Sequence, residues 1–161
     1  MEQQIVPNLW FDGQAEEAAA FYTSIFPNSR IGTVARYPEG SPGEAGSVMV
    51  VDFELNGNKI VAINGGPEFK FSEALSLQVL CDDQDEIDYY WERLGDGGEH
   101  GPCGWLKDRF GLSWQVTPKG MDELFSGDPQ RAKRAFDAML QMKKLDIATL
   151  EAAADGVPAQ A

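Results

Sequence analysis

Cys103 and the chain's one histidine, His100, lie three residues apart in the segment GGEHGPCG. A thiol beside an imidazole is the arrangement of a nucleophile and its base, and a reactive thiolate needs an electropositive, partly exposed setting. An irregular glycine-rich connection does not fix that geometry. His100 therefore reads as a solvated loop residue and Cys103 as a small half-buried residue at a strand start, with Cys103 kept as the one candidate nucleophile. Asp82, Asp83, Asp85, Glu86 and Asp88 form an acidic run. Its spacing lacks the calcium-loop pattern, and acids at a helix start are accounted for by the helix dipole. What remains is a set of amides, Asn8, Asn64, Gln78 and Gln115, and of indoles, Trp10, Trp105 and Trp114. A few polar groups among aromatic rings make up a small-molecule pocket; amides that satisfy one another make up a closed sheet. Which of the two applies depends on the strand face each residue occupies.

The elements that position these residues come in a repeating order. Ile5 to Phe11 reads as a strand, followed by a turn at Asp12-Gly13 and a helix whose Ala18, Phe21, Tyr22 and Ile25 form one apolar stripe. Strands are predicted at 30–37, 47–55 and 59–64, the last two joined by Asn56-Gly57, a strong hairpin signal. The order then recurs. A strand is predicted at 76–81, a capped helix carries Ile87, Tyr90, Trp91 and Leu94, and strands follow at 99–102, 103–107 and 112–117. The two stripes are offset by 69 residues, so the chain reads as two βαβββ modules in tandem, about 4–66 and 74–118. A helical extension follows over 119–156, with residues 157–161 expected to fray.

One face of each sheet takes its helix and the other must be covered or line a cavity. Two such modules side by side form a cupped mixed sheet with helices outside, so the expected class is α+β. Alternation along each strand sorts the side chains. Leu9 and Phe11 face the first helix, leaving Asn8 and Trp10 for the cavity. Leu77, Val79 and Cys81 face the second helix, leaving Ser76, Gln78 and Leu80. Trp114 and Val116 pack outward, leaving Ser113, Gln115 and Thr117. In the fourth strand Ile60, Ala62 and Asn64 are expected to face inward, and Trp105 joins the set.

Composition narrows the partners. The chain has 161 residues, 43% apolar and 24% charged, enough for a real core. Thirteen basic residues against 26 acidic ones give a formal charge of −13. That argues against nucleic acid, which needs a basic footprint, and against an anionic lipid surface. No stretch has membrane-spanning length, and MEQQIVPNLW lacks the leader pattern, so a cytoplasmic protein is expected. Cys81 and Cys103 form no disulfide framework. The charge is uneven: residues 1–118 hold seven basic and 19 acidic residues, whereas 119–161 hold six and seven. The extension also carries an apolar stripe, Ala132, Ala135, Phe136 and Met139, that needs a partner surface; a homodimer through these helices is expected.

The segments LWFDGQAEEAAAFY, INGGPEFKFSEA, DEIDYYWERL and CGWLKDRFGLSWQVTPK resemble the PhnB-like family. It is also labelled 3-demethylubiquinone-9 3-methyltransferase-like, and belongs to the vicinal oxygen chelate superfamily with glyoxalase I, extradiol dioxygenases and bleomycin-resistance proteins. AMLQMKKLDIATLEAA extends the resemblance, which then spans 4–154. It implies paired βαβββ modules and a homodimer, without implying one activity. A Rossmann-type S-adenosylmethionine site needs a glycine-rich strand-to-helix loop, and Asn64-Gly65-Gly66-Pro67 is not one.

The superfamily's signature is a divalent ion held by inward His and Glu side chains. Carried over by strand parity, the ligand positions fall on Asn8, Ala62, Ser76 or Gln78, and Gln115, the last in GLSWQV. Zn, Ni and Fe want imidazole, thiolate or carboxylate donors, so neither a metal nor another cofactor is expected. The leading expectation is a metal-independent small-molecule-binding protein, with Asn8, Trp10, Asn64, Ser76, Gln78, Trp105 and Gln115 touching an unidentified ligand. The alternatives are an enzyme of isomerase, lyase or transferase type, using Cys103 or polar cavity groups, and a structural or regulatory dimer with no ligand.

Overall fold

The computed structural model describes residues 5–157; most of the stretch expected to fray, 158–161, lies outside them. The chain separates into two compact units, Met1–Phe71 and Ser72–Ala161. The class is α+β, and each unit carries one four-stranded mixed sheet and its own helix.

In the first unit the elements run β1 (Asn8–Phe11), α1 (Ala15–Ile25), β2 (Arg30–Arg36), β3 (Val48–Leu55) and β4 (Asn58–Asn64), and the sheet order is β1-β4-β3-β2. The β3–β4 hairpin turns at Asn56 and Gly57, whose φ of 47° and 79° match the backbone of a tight type I′ turn. Leu9, Phe11, Val51, Phe53, Ile60 and Ala62 are buried with Ala18, Tyr22 and Ile25 of α1. The Tyr22 ring stacks near Phe53 at 6.2 Å.

This packing corrects the expected orientation of β4. The parallel β1–β4 register pairs Leu9 with Ala62 and Phe11 with Asn64. Paired residues share a face, so Ile60, Ala62 and Asn64 turn toward α1, while Val61 and Ile63 share the open face with Asn8 and Trp10. Alternation fixes which residues go together along one strand; only the neighbouring strand's register fixes which set meets the helix.

The second unit repeats the plan: β5 (Ser76–Cys81), α2 (Gln84–Gly95), β6 (Glu99–His100), β7 (Trp105–Lys107) and β8 (Ser113–Pro118), ordered β5-β8-β7-β6. Asp83 caps α2 by accepting from Glu86 N at 2.9 Å. Ile87, Trp91 and Leu94 are buried with Leu106, Trp114 and Val116. The burial pattern of this helix repeats that of α1, as the 69-residue offset predicts.

The extension forms α3 (Met121–Ser126), α4 (Pro129–Met139) and α5 (Ile147–Ala154). Asp128 and Asp146 cap the last two through Arg131 N and Thr149 N. The α4 helix ends at Met139, the last residue of its apolar stripe. The reason is a docking turn. The Met142 and Lys143 carbonyls accept from Cys103 N and Gly104 N at 2.8 and 2.7 Å, and Leu145 is fully buried. Gln84 of α2 clamps the same turn, donating to Leu145 O at 3.1 Å and accepting from Ile147 N at 3.0 Å. The extension therefore packs on its own unit. No helix among the described residues is long and apolar enough to cross a membrane.

Candidate functional site

The two modules treat their open faces differently. In the first, the chain after β4 folds back as a strap. Gly65 lies against the Trp10 indole so closely that a Cβ there would stand 2.1 Å from the ring, a contact only glycine permits. The indole N–H donates to Gly66 O at 2.9 Å, and Phe69 meets the ring edge-on at 5.0 Å. Trp10, expected to line a cavity, is thus packed under its own linker. Asn8 is exposed and donates to Val6 O at 3.0 Å. Asn64 does a structural task. Its Oδ1 accepts from Ala15 N at 2.9 Å and its Nδ2 donates to Val48 O at 3.0 Å. Gln14 gives α1 no side-chain cap, so Asn64 supplies from β4 the acceptor the helix start needs. A cleft of about 430 Å³ beside it is lined by Glu16, Tyr37, Ser47 and Asn64. Tyr37 donates to Asn64 O and Ser47 to Glu44 O, so these hydroxyls are satisfied.

In the second module the sequence-predicted residues come together. Across β7, β8 and β5 the register sets Trp105, Gln115 and Gln78 in one row, and Lys107, Ser113 and Ser76 in the next. Glu99 of β6 continues the second row beside Lys107. Gln115 Nε2 donates to Ser76 Oγ, and Gln78 Nε2 donates to Thr117 Oγ1, both at 2.9 Å. Beside this face opens a cleft of about 420 Å³, lined by Glu73, Glu99, Pro102, Trp105, Lys107 and Ser113. Lys107 Nζ and Glu73 Oε1 pair at 2.6 Å. Hydrogen bonding to Lys107 holds the Glu73 carboxyl below its ordinary value, and the same bond raises Lys107.

No local sequence signal marks Glu73, Glu99 or Lys107 for this site, and alternation puts Ser113 on this face without giving it a role. Strand register and a loop contact bring them together, and neither shows in local spacing. The β7–β8 connection that sets Lys107 beside Ser113 is held by Asp108, a buried carboxylate. Asp108 Oδ1 accepts from Phe110 N and Leu112 N, and Oδ2 from Trp114 Nε1 at 2.8 Å. Backbone and indole N–H groups thus solvate a charge that would be costly to bury alone.

The Cys103–His100 pairing takes a different form from the one spacing suggests. Cys103 adopts φ +57° and its thiol donates to Met139 O at 3.6 Å, toward the extension. His100 is solvent-exposed, as expected, but lies in the short strand β6 rather than in a loop, at the edge of the second-module cleft. Its ring stacks on Trp91 at 4.6 Å, and its Nε2 lies 3.1 Å from Trp91 O. Gly95 makes the room, since a Cβ there would meet His100 Nε2 at 2.1 Å. The cysteine anchors the tail and the histidine packs on α2.

The superfamily's divalent ion can be tested on donor chemistry. Asn8, Ser76, Gln78 and Gln115 offer amides and a hydroxyl, and the amide N–H groups of Gln78 and Gln115 already donate to hydroxyls. Ala62 turns toward α1, and its open-face neighbours Val61 and Ile63 bring no donor. Among the described residues no three His, Cys, Asp or Glu side chains form a group able to hold a metal ion. The residues present do not fit the ion.

The profile of the family described as 3-demethylubiquinone-9 3-methyltransferase matches residues 3–117. The resemblance expected over 4–154 is therefore carried by the two modules. A Bacillus cereus structure described as a putative 3-demethylubiquinone-9 3-methyltransferase, PhnB protein, is 38% identical, with a TM-score of 0.65. The alignment covers 72% of this chain and 99% of that one. A Pseudomonas aeruginosa protein shares the fold at 22% identity and TM-score 0.61, over 73% and 98% of the two chains. The fosfomycin resistance protein FosX from Listeria monocytogenes shares it at 16% identity and TM-score 0.53, over 76% and 96%. No curated protein matches the chain.

Proposed function

The chain belongs to the 3-demethylubiquinone-9 3-methyltransferase family, whose PhnB-type members have the vicinal oxygen chelate fold, and from that membership we propose that it is a metal-independent small-molecule-binding protein. The observation that carries the reading is the cleft on the second module. It sets the Trp105 indole, Pro102, His100 and the Ser113 hydroxyl beside one lysine and two carboxylates, the mix of apolar wall and few polar groups that orients a small ligand. Ser76, Gln78, Trp105 and Gln115 belong to this face. Asn8, Trp10 and Asn64 belong to the first module, where Trp10 and Asn64 are engaged by their own chain.

The reading includes a homodimer, supported by the exposed apolar side chains Phe136 and Leu140 on the near-neutral extension. It includes a cytoplasmic setting, supported by two free cysteines, and partners that exclude nucleic acid and membrane, supported by the charge of −13.

The test is to purify the protein without added ligand, denature it, and identify what is released by mass spectrometry. One compound released in proportion to protein is expected. If nothing is released and a metabolite library produces no saturable binding, the ligand-free dimer replaces this reading. A ligand that turns over instead moves the protein among the isomerases, lyases or transferases.

A further inference from the structure

We infer that the cleft of the second module takes a ligand bearing a positively charged nitrogen on a flat apolar body, with the ammonium directed at Ser113, Glu99 and Glu73 and the body against Trp105. This rests on the small-molecule reading and names its ligand class.

Ser113 carries the argument. It is 1% exposed and lines the cleft, and its Oγ is the one buried side-chain nitrogen or oxygen among the described residues with no hydrogen-bond partner. Folded proteins leave few such groups unmet. The polar side chains beside it in the register are engaged elsewhere: Ser76 accepts from Gln115, and Lys107 pairs with Glu73. A bound group supplies the missing partner.

Charge selects what that group is. Glu73 and Glu99 line the cleft with Lys107 and His100; His100 turns its Nε2 to Trp91 O, so at the formal charges of neutral pH two carboxylates face one ammonium. A ligand carboxylate or phosphate would meet that surplus of negative charge, whereas a ligand ammonium neutralises it. An ammonium also carries three N–H donors, enough for Ser113 Oγ and both carboxylates. The Lys107–Glu73 pair is solvent-exposed, and such pairs rearrange at little cost. The indole of Trp105 offers a face on which cations and flat apolar bodies rest. The chain's charge of −13 steers cations toward it and anions away.

The full-length protein is titrated calorimetrically at neutral pH and low salt with 2-phenylethylamine, 2-phenylethanol and 3-phenylpropionate. The amine is expected to bind at least tenfold more tightly than the other two. Glu99→Gln is expected to weaken the amine about fivefold, the size of a partly exposed charge contact, and to leave the alcohol unchanged. Ser113→Ala is expected to weaken the amine while raising the thermal midpoint of the free protein, because it removes an unmet buried hydroxyl. A lowered midpoint would show that the hydroxyl already has a protein partner and would overturn the inference. Equal or tighter binding of the alcohol or the acid overturns the cation assignment and leaves the small-molecule reading standing. No saturable binding of any of the three also overturns it, and the released-metabolite experiment then decides the wider reading separately.

Discussion

Gln78 and Gln115 stand opposite each other on adjacent parallel strands, yet each amide donates diagonally away from the other, Gln78 to Thr117 and Gln115 to Ser76. Each long side chain is thereby fixed by a hydroxyl two residues along the neighbouring strand. Position 115, one of the ligand positions that the superfamily resemblance implies, presents an amide tied to Ser76.

The first prediction follows from that amide. After exhaustive dialysis the protein is expected to carry no stoichiometric Ni, Zn or Fe by elemental analysis. Gln115→Glu alone is expected to leave this unchanged, because one carboxylate does not replace the donors missing at the other positions. A tightly held ion at about one per chain in the unmodified protein would revive a glyoxalase-like chemistry.

The two thiols are expected to differ in reactivity. Burial, reinforced by the charges of Glu86, Asp82 and Asp83, pushes the Cys81 thiol up to about 12, whereas Cys103 is half-buried. An aromatic disulfide reagent at about pH 8 should label Cys103 in the folded protein and Cys81 only on denaturation. Cys103→Ala should abolish the fast labelling and leave ligand retention intact. Loss of retention or of an activity, with the circular dichroism unchanged, would restore the nucleophile.

Gly104 and Gly111 separate backbone strain from crowding. Both have positive φ, +80° and +87°. A Cβ on Gly104 would stand 2.7 Å from Val116 O, whereas one on Gly111 meets nothing within 4 Å. Gly111→Ala is expected to cost about 1–2 kcal/mol, the strain of a left-handed residue, and Gly104→Ala distinctly more. Urea midpoints compare them; equal shifts would mean that the tail junction gives way easily.

Acid is expected to release the extension before the modules unfold. Hydrogen bonds from Lys144 and then Gln84 hold Asp88 below its ordinary value, and bonding to Thr149 does the same for Asp146. A carboxyl depressed in the folded state contributes stability above its unfolded value, about 3.9 for Asp, and loses it as the pH falls through the folded value. Pepsin digestion at decreasing pH should cut within 140–157 before it cuts the strands, and Lys144→Met should flatten that dependence. Cleavage order unchanged across the range would count against the junction as the acid-sensitive point.

The proposed dimer is tested through Phe136, which is 47% exposed on α4 beside Phe125. Sedimentation at micromolar concentration is expected to give a dimer, and Phe136→Glu a monomer of unchanged urea midpoint. Truncation after Lys119 is expected to give an unstable or insoluble chain, since it strips Leu145 and Leu150, both buried, from the second unit. A monomeric full-length protein would remove the dimer and leave the extension as a buttress of its own module.

Much of this protein was legible in the residues themselves. The two helical stripes, the Asn56-Gly57 hairpin and the tandem βαβββ order depend on contacts a few residues apart, and local periodicity and turn chemistry report those directly. The grouping of Ser76, Gln78, Trp105 and Gln115 on one face also followed from alternation. Tertiary structure decided the rest. Alternation has a period but no phase, so only the β1–β4 register shows that Asn64 turns away from the open face, toward α1, and caps it. Whether an indole is open or covered depends on where a distant strap lands, as Gly66 and Phe69 do on Trp10. His100 and Cys103, three residues apart, part company because one is held by α2 and the other by the carbonyls after α4. The unmet hydroxyl of Ser113 is the most non-local feature of all. Its register neighbours Ser76 and Lys107 are engaged by Gln115 and Glu73, and no spacing along the chain encodes what a residue's neighbours already hold.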